Sequence, residues 1–250
     1  MKISVSYNEV KEVLAQADEI YVPYEERSRI ADLAHNYDVD ILLGSPKDID
    51  ISELKQLKTL AKDRLVIDLF TYDADIYALL KENGFEFVYH FPILTFASFK
   101  ELVHRGVKYI TIDRPLMFQI DKIKSFKMPI KFNPIHVDDY MPNESAWVRP
   151  EDVALYEPCY LEFKPNNIIS KNLTLLKIYK DASWDGRLSM IIDGITDSAY
   201  GVLLPEDFGK TRSKCGQRCM NTPDRTCHYC DLTLKMGAYK DQLKETIDKK

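Results

Sequence analysis

The sequence predicts a (β/α)8 barrel of the TIM type, residues 1–182, followed by a C-terminal extension, 183–250, that binds a metal through four cysteines. Three observations carry this. Eight short β-rich runs alternate with helical patterns. A glycine twice separates a helix from the next strand, and four cysteines crowd between Cys215 and Cys230. Alternation of this kind is the sequence form of βα units around a parallel sheet. An open doubly wound sheet has the same local pattern, and the count of eight strands is what favours closure.

The expected strands are 3–7, 19–24, 40–44, 65–70, 85–91, 108–113, 130–134 and 160–164, each rich in Ile, Val, Leu, Tyr or Phe and short enough for a barrel stave. Helical patterns fall at 9–17, 26–36, 51–62, 74–82, 95–105, 118–126, 150–156 and 168–180. Their apolar residues recur at three- and four-residue spacing, as in Ile30, Leu33 and Ala34 or Leu54, Leu57 and Leu60. Gly84 and Gly106 stand where a left-handed helix cap is needed. Pro150 opens its helix, where a missing N–H costs nothing. Beyond 182, Leu188, Ile191 and Ile192 continue an apolar pattern that Gly194, Gly201 and Pro205 break, which suggests a segment packed on the barrel's outside. Residues 232–250 dissolve into charge and are expected to fray.

With 45% hydrophobic and 29% charged residues the chain can bury a core and keep a soluble surface, so neither disorder nor a membrane class is favoured. The formal charge of −5 comes without a long run of either sign, leaving no strong nucleic-acid signature. No basic segment followed by an apolar stretch opens the chain, and no run approaches the roughly 18 apolar residues of a membrane helix. A cytoplasmic location is expected, because a disulfide-stapled secreted domain would be shorter and would scatter its cysteines.

Cys215 and Cys219 form one pair, seven residues intervene, and Cys227 and Cys230 form the other. Pro223 and Asp224 can turn the loop between them, so four thiolates can converge tetrahedrally on one ion or cluster. The cofactor expected is zinc or a four-iron four-sulfur cluster. Both use this ligand type, and compactness leans towards zinc. His228 reads as a neighbour of the loop, and Cys159 as a buried thiol.

In barrels of this class chemistry occurs at the C-terminal ends of the strands. That rule selects His90, Asp113, Arg114 and His136 as candidate catalytic residues, and Glu25, Asn133, Glu162 and Lys164 as candidate substrate-binding residues. Asp68 and Asp73 flank the end of the fourth strand. Acids, bases and imidazoles gathered in one place can bind a polar ligand and move protons. If Asp68 and Glu162 point inward they need partners such as Lys131 or Lys164, forming an ionic layer in the core. No phosphate-binding glycine loop, paired-histidine protease helix or serine nucleophile turn is present in the sequence.

One stretch carries a resemblance. It runs Trp147-Val148-Arg149-Pro150-Glu151-Asp152, then Tyr160-Leu161-Glu162-Phe163-Lys164, then Trp184-Asp185-Gly186-Arg187, and ends in the cysteine cluster. Over roughly residues 145–235 the chain resembles the collagenase-like peptidase family U-32. Cys215-Gly216-Gln217-Arg218-Cys219 echoes that family's spacing of two cysteines around a glutamine, whereas Pro165-Asn166 replaces its glycine-arginine. The resemblance implies a barrel and either an iron–sulfur hydroxylase or a peptidase. A second reading makes the chain a non-catalytic barrel stapled by zinc, with a protein assembly as its partner, for example in a virus particle.

Overall fold

The computed structural model describes residues 1–7, 11–45, 48–112, 116, 120–136, 146–147, 150–163 and 169–182. The predicted extension with Cys215, Cys219, Cys227 and Cys230 lies outside them. By contact the chain divides into two units, Met1–Asn133 with Asp152–Leu176, and Pro134–Glu151 with Lys177–Lys250.

In the first unit the strands are β1 (Lys2–Ser6), β2 (Glu19–Val22), β3 (Asp40–Gly44), β4 (Leu65–Leu69), β5 (Glu86–Tyr89), β6 (Ile110–Thr111) and β7 (Ile130–Phe132). The second unit contributes a small antiparallel pair, β8 (Ile135–His136) and β9 (Ala146–Trp147). The eighth stave is therefore β10 (Cys159–Phe163), again in the first unit. All eight predicted staves are present, each within a few residues of its expected place.

They pair in the order β5-β4-β3-β2-β1-β10-β7-β6, every described pair parallel, which is the circular order of a barrel cut between β5 and β6. That seam is bridged as well. Lys108 N–H donates to Phe87 C=O at 2.9 Å, Ile93 N–H donates to Thr111 C=O at 2.9 Å, and Ile93 bridges Ile112 in parallel. The ring is nearly closed.

Alternation sorts the side chains. Ile3, Ile20, Ile41, Leu43, Ile67, Phe87, Ile130, Phe132 and Leu161 are almost wholly buried on the outer face of the staves. The helices cover that face with Val13 and Leu14 of α1 (Lys11–Leu14), Ile30, Leu33 and Ala34 of α2 (Ile30–Asn36), Leu54 and Leu57 of α3 (Ile51–Leu60), Tyr77 and Leu80 of α4 (Ala74–Glu82), and Phe99 and Leu102 of α5 (Phe96–Arg105). Leu60 departs from expectation at 49% exposed, because α3 ends there and Ala61 takes the buried position. Before α2, residues Tyr24–Arg29 form a 3-10 helix instead of the predicted α-helical turn. None of its side chains is buried, so no apolar face holds it in register; Tyr24 and Arg27 bond to Glu53 of α3 instead. Pro150–Tyr156 is likewise 3-10. Gly84 and Gly106 take φ values of 73° and 75°, the left-handed caps the sequence requires.

Opposite residues point inward. Leu42, Val66, Val88, Tyr109 and Tyr160 meet in the middle with Tyr21 against them, and only a ring brings five staves' side chains to one place.

Candidate active site at the barrel mouth

Below the mouth the interior is ionic. Lys131 of β7 places its ammonium 2.9 Å from the Glu19 carboxylate of β2, and the two side chains are 4% and 0% exposed. Ser4 donates to the same carboxylate at 2.7 Å, and the Tyr109 hydroxyl reaches both its oxygens at 3.0 and 2.9 Å. Full hydrogen bonding is what makes a buried charge pair tolerable. Burial works against the Lys131 charge, yet the carboxylates of Glu19, Glu162 and Asp68 outweigh it and hold the ammonium above its ordinary value. Burial first, then the Glu19 charge, drives the Tyr109 phenol well upward, so it stays a donor.

One layer nearer the mouth lies a pair from β4 and the residue after β5. His90 N–H donates to Leu69 C=O at 2.8 Å, extending the β4–β5 ladder by one rung beyond the strand. That rung sets the imidazole beside the inward Asp68, with Nδ1 2.6 Å from Oδ2. Asp68 is buried at 5% side-chain exposure while His90 remains 32% exposed, so the pair reaches from the core to the solvent. Burial raises the Asp68 pKa, against the hydrogen bond from His90 and the charges of His90 and Lys131. The ring of Phe70 lies 4.1 Å from that of His90, and Phe91 meets it edge-on at 5.0 Å. His90 Nε2 has no hydrogen-bond partner among the described residues. An imidazole oriented through one nitrogen by a buried carboxylate, with the other nitrogen open, is arranged to accept a proton.

The predicted residues distribute unevenly around this pair. His90 is in it. Glu162, on β10, contributes its negative charge to Lys131 and to Tyr21, and Asn133 follows β7 directly; both engage neighbours. Glu25 stands exposed on the 3-10 helix that the Arg27–Glu53 ion pair (2.8 Å) ties to α3, and its charge bears on Tyr21. His136 belongs to β8 in the second unit, and its side chain is outside the described set. Asp113, Arg114 and Lys164 also lie outside the described residues.

The expected ionic layer is present, since Lys131 acts by charge on both Asp68 and Glu162, while the hydrogen bonds run elsewhere, from Asp68 to His90 and from Lys131 to Glu19. One expectation needs correction. Asp73 is an N-cap: its carboxylate accepts from the Asp75 and Ile76 N–H groups at the start of α4. Glu19, Tyr21 and Tyr109 escaped the sequence reading. The available signal was a carboxylate, and then a phenol two residues on, alternating with Ile20 and Val22 within one short strand. Among the described residues no group of three or more His, Cys, Asp or Glu is placed to hold a metal ion. No described helix is long and apolar enough to cross a membrane.

No family model and no curated protein matches the chain. Solved structures do. A 3-keto-L-gulonate-6-phosphate decarboxylase from Vibrio cholerae superposes with a TM-score of 0.50 at 10% identity, covering 72% of this chain and 96% of its own. The native KDPGal structure gives 0.45 at 12% identity, covering 72% and 92%. Phosphoribosyl anthranilate isomerase from Thermococcus kodakaraensis gives 0.45 at 14% identity, covering 72% and 97%. The first of these likenesses, with the strand order, makes the chain a TIM-type barrel.

Proposed function

We propose that this chain is a barrel enzyme that moves a proton on a polar substrate at the strand-end mouth, with His90 as the base and Asp68 as the residue that orients it. The observation that carries this is the 2.6 Å bond between the buried Asp68 carboxylate and a partly exposed imidazole whose second nitrogen has no hydrogen-bond partner among the described residues. Asp68 fixes the tautomer by accepting from Nδ1–H, which leaves the Nε2 lone pair facing the substrate, and it stabilises the imidazolium that forms on proton uptake. The imidazolium charge is met by the carboxylate beside it, and the partial exposure of His90 keeps that charge in contact with water.

The same reading makes the chain a compact relative of the collagenase-like peptidase family U-32, on the residues quoted above. Cys215, Cys219, Cys227 and Cys230 would then hold zinc or a four-iron four-sulfur cluster; four thiolates suit either. Zinc there supplies a structural staple, and a cluster supplies one-electron chemistry.

The test uses the full chain purified without oxygen. Incubated with a polar small-molecule extract and followed by mass spectrometry, the wild-type protein consumes at least one compound that His90→Gln leaves untouched. An extract unchanged by wild-type protein overturns the enzyme reading. On the same preparation, iron with inorganic sulfide supports the redox form, and one equivalent of zinc in a colourless protein removes it.

A further inference from the structure

Tyr21 faces the mouth from β2. Its ring packs on the inward cluster of Leu42, Val66, Val88, Tyr109 and Tyr160, and its centroid lies 6.3 Å from that of His90. The hydroxyl has no hydrogen-bond partner among the described residues. Gly44 makes room for it: a Cβ at that position would come 2.8 Å from the hydroxyl oxygen and 3.4 Å from Cζ. Real Cβ atoms do not approach that closely, so the absence of a side chain on β3 is what allows this ring position. Burial, followed by the charges of Asp68, Glu25 and Glu162, holds the phenol pKa above its ordinary value. The group therefore keeps its proton at neutral pH and can donate it in a hydrogen bond. Among the described residues a phenol donor and an imidazole base without other partners thus stand with their rings 6.3 Å apart, and each needs an acceptor or an acid about 2.8 Å away to be satisfied.

We infer that Tyr21 is a second catalytic residue, its O–H holding the carbonyl oxygen of the substrate while His90 Nε2 takes a proton from the adjacent carbon, so that the reaction is an enolisation. The inference rests on the His90–Asp68 reading and adds the substrate class: a carbonyl compound with a hydrogen on the carbon beside the carbonyl. The carbon–hydrogen bond breaks and its proton goes to Nε2. The electron pair forms a carbon–carbon double bond, and the carbonyl π pair moves to oxygen, where the Tyr21 O–H meets the growing charge. The imidazolium, held beside Asp68, then returns the proton to the same carbon or, where that carbon carries a hydroxyl, to the former carbonyl carbon after the hydroxyl proton has passed to the oxygen that Tyr21 holds. Nothing is oxidised or reduced overall, and no co-reactant is consumed.

Running the extract experiment in D2O tests this separately from the parent reading. The compound consumed in a His90-dependent way should yield a product carrying one deuterium on carbon. Tyr21→Phe keeps the ring and removes only the donor, and it should slow turnover about 100-fold or more, in kcat rather than KM. Gly44→Ala, displacing the hydroxyl without deleting it, should slow turnover in the same sense, with melting followed to show that both variants fold. His90-dependent conversion without deuterium on carbon, or a folded Tyr21→Phe within twofold of wild type, overturns the inference and leaves the proton-transfer reading standing. An extract left unchanged by wild-type protein overturns both.

Discussion

Lys131 and Glu19 are sealed inside the barrel, and the cost of placing two charges there is offset only while both remain. Lys131→Met leaves the Glu19 carboxylate buried without its cation, and denaturant unfolding should show a loss of about 3–5 kcal/mol. Adding Glu19→Gln should recover part of it, because the orphaned charge is then gone. A single substitution costing under about 1 kcal/mol would mean that water reaches the pair. Legibility at this scale was partial. Charged letters inside apolar strands mark Asp68 and Glu162 as notable, and a strand-end histidine marks His90. The bond between residues 68 and 90 depends on the offset of β5 against β4, which no local pattern encodes. The same holds for Glu19 with Lys131, 112 positions apart in the chain.

Elements were the more readable level, and the reason is periodicity. Strands such as Leu65–Leu69 are runs of large apolar residues, broken only by Asp68 and buried on both faces, and helices such as Phe96–Arg105 carry their buried residues three apart, at Phe99 and Leu102. The reading failed where packing, not pattern, decides the outcome, as in the 3-10 segment Tyr24–Arg29, which has no buried face to align. Asp73 was misjudged for a related reason: a carboxylate after a strand serves equally well as a ligand-binding group or as a helix cap. Asp73→Ala should cost about 1 kcal/mol, or roughly 2–4 °C in melting temperature, by freeing the Asp75 and Ile76 N–H groups. Turnover of the His90-dependent compound should not change. A large loss of turnover at unchanged melting would return Asp73 to the site.

For the whole molecule, the buried acids set the response to alkali. Burial raises the Cys159 thiol from 9.0 to about 12, and the phenols of Tyr77 and Tyr109 also rise from 10.0, again chiefly through burial. Each keeps its proton in the folded chain after the unfolded chain has lost it. Their contribution to stability is therefore complete below pH 9 and is lost as pH climbs, first through the thiol between 9.0 and about 12. For Cys159 alone the loss is at most roughly 4 kcal/mol. Chemical unfolding at stepped pH should show stability falling from pH 9, and Cys159→Ala should delay the onset towards the tyrosine range near 10. A flat curve to pH 11 would show the thiol to be reached by solvent. The ring itself was predictable from eight repeated units, whereas its ionic lining follows from closure, which brings strands distant in sequence around a common axis.

The claim on which the functional account turns is that Asp68 leaves His90 with its outer nitrogen open. Nitrogen-15 NMR of histidine-labelled protein, at a pH where the imidazole is neutral, reads this directly. The account predicts a His90 resonance pair with the proton on Nδ1 and none on Nε2, and loss of that preference in Asp68→Asn. A proton on Nε2 in the wild-type protein, or identical spectra for the two proteins, would contradict it.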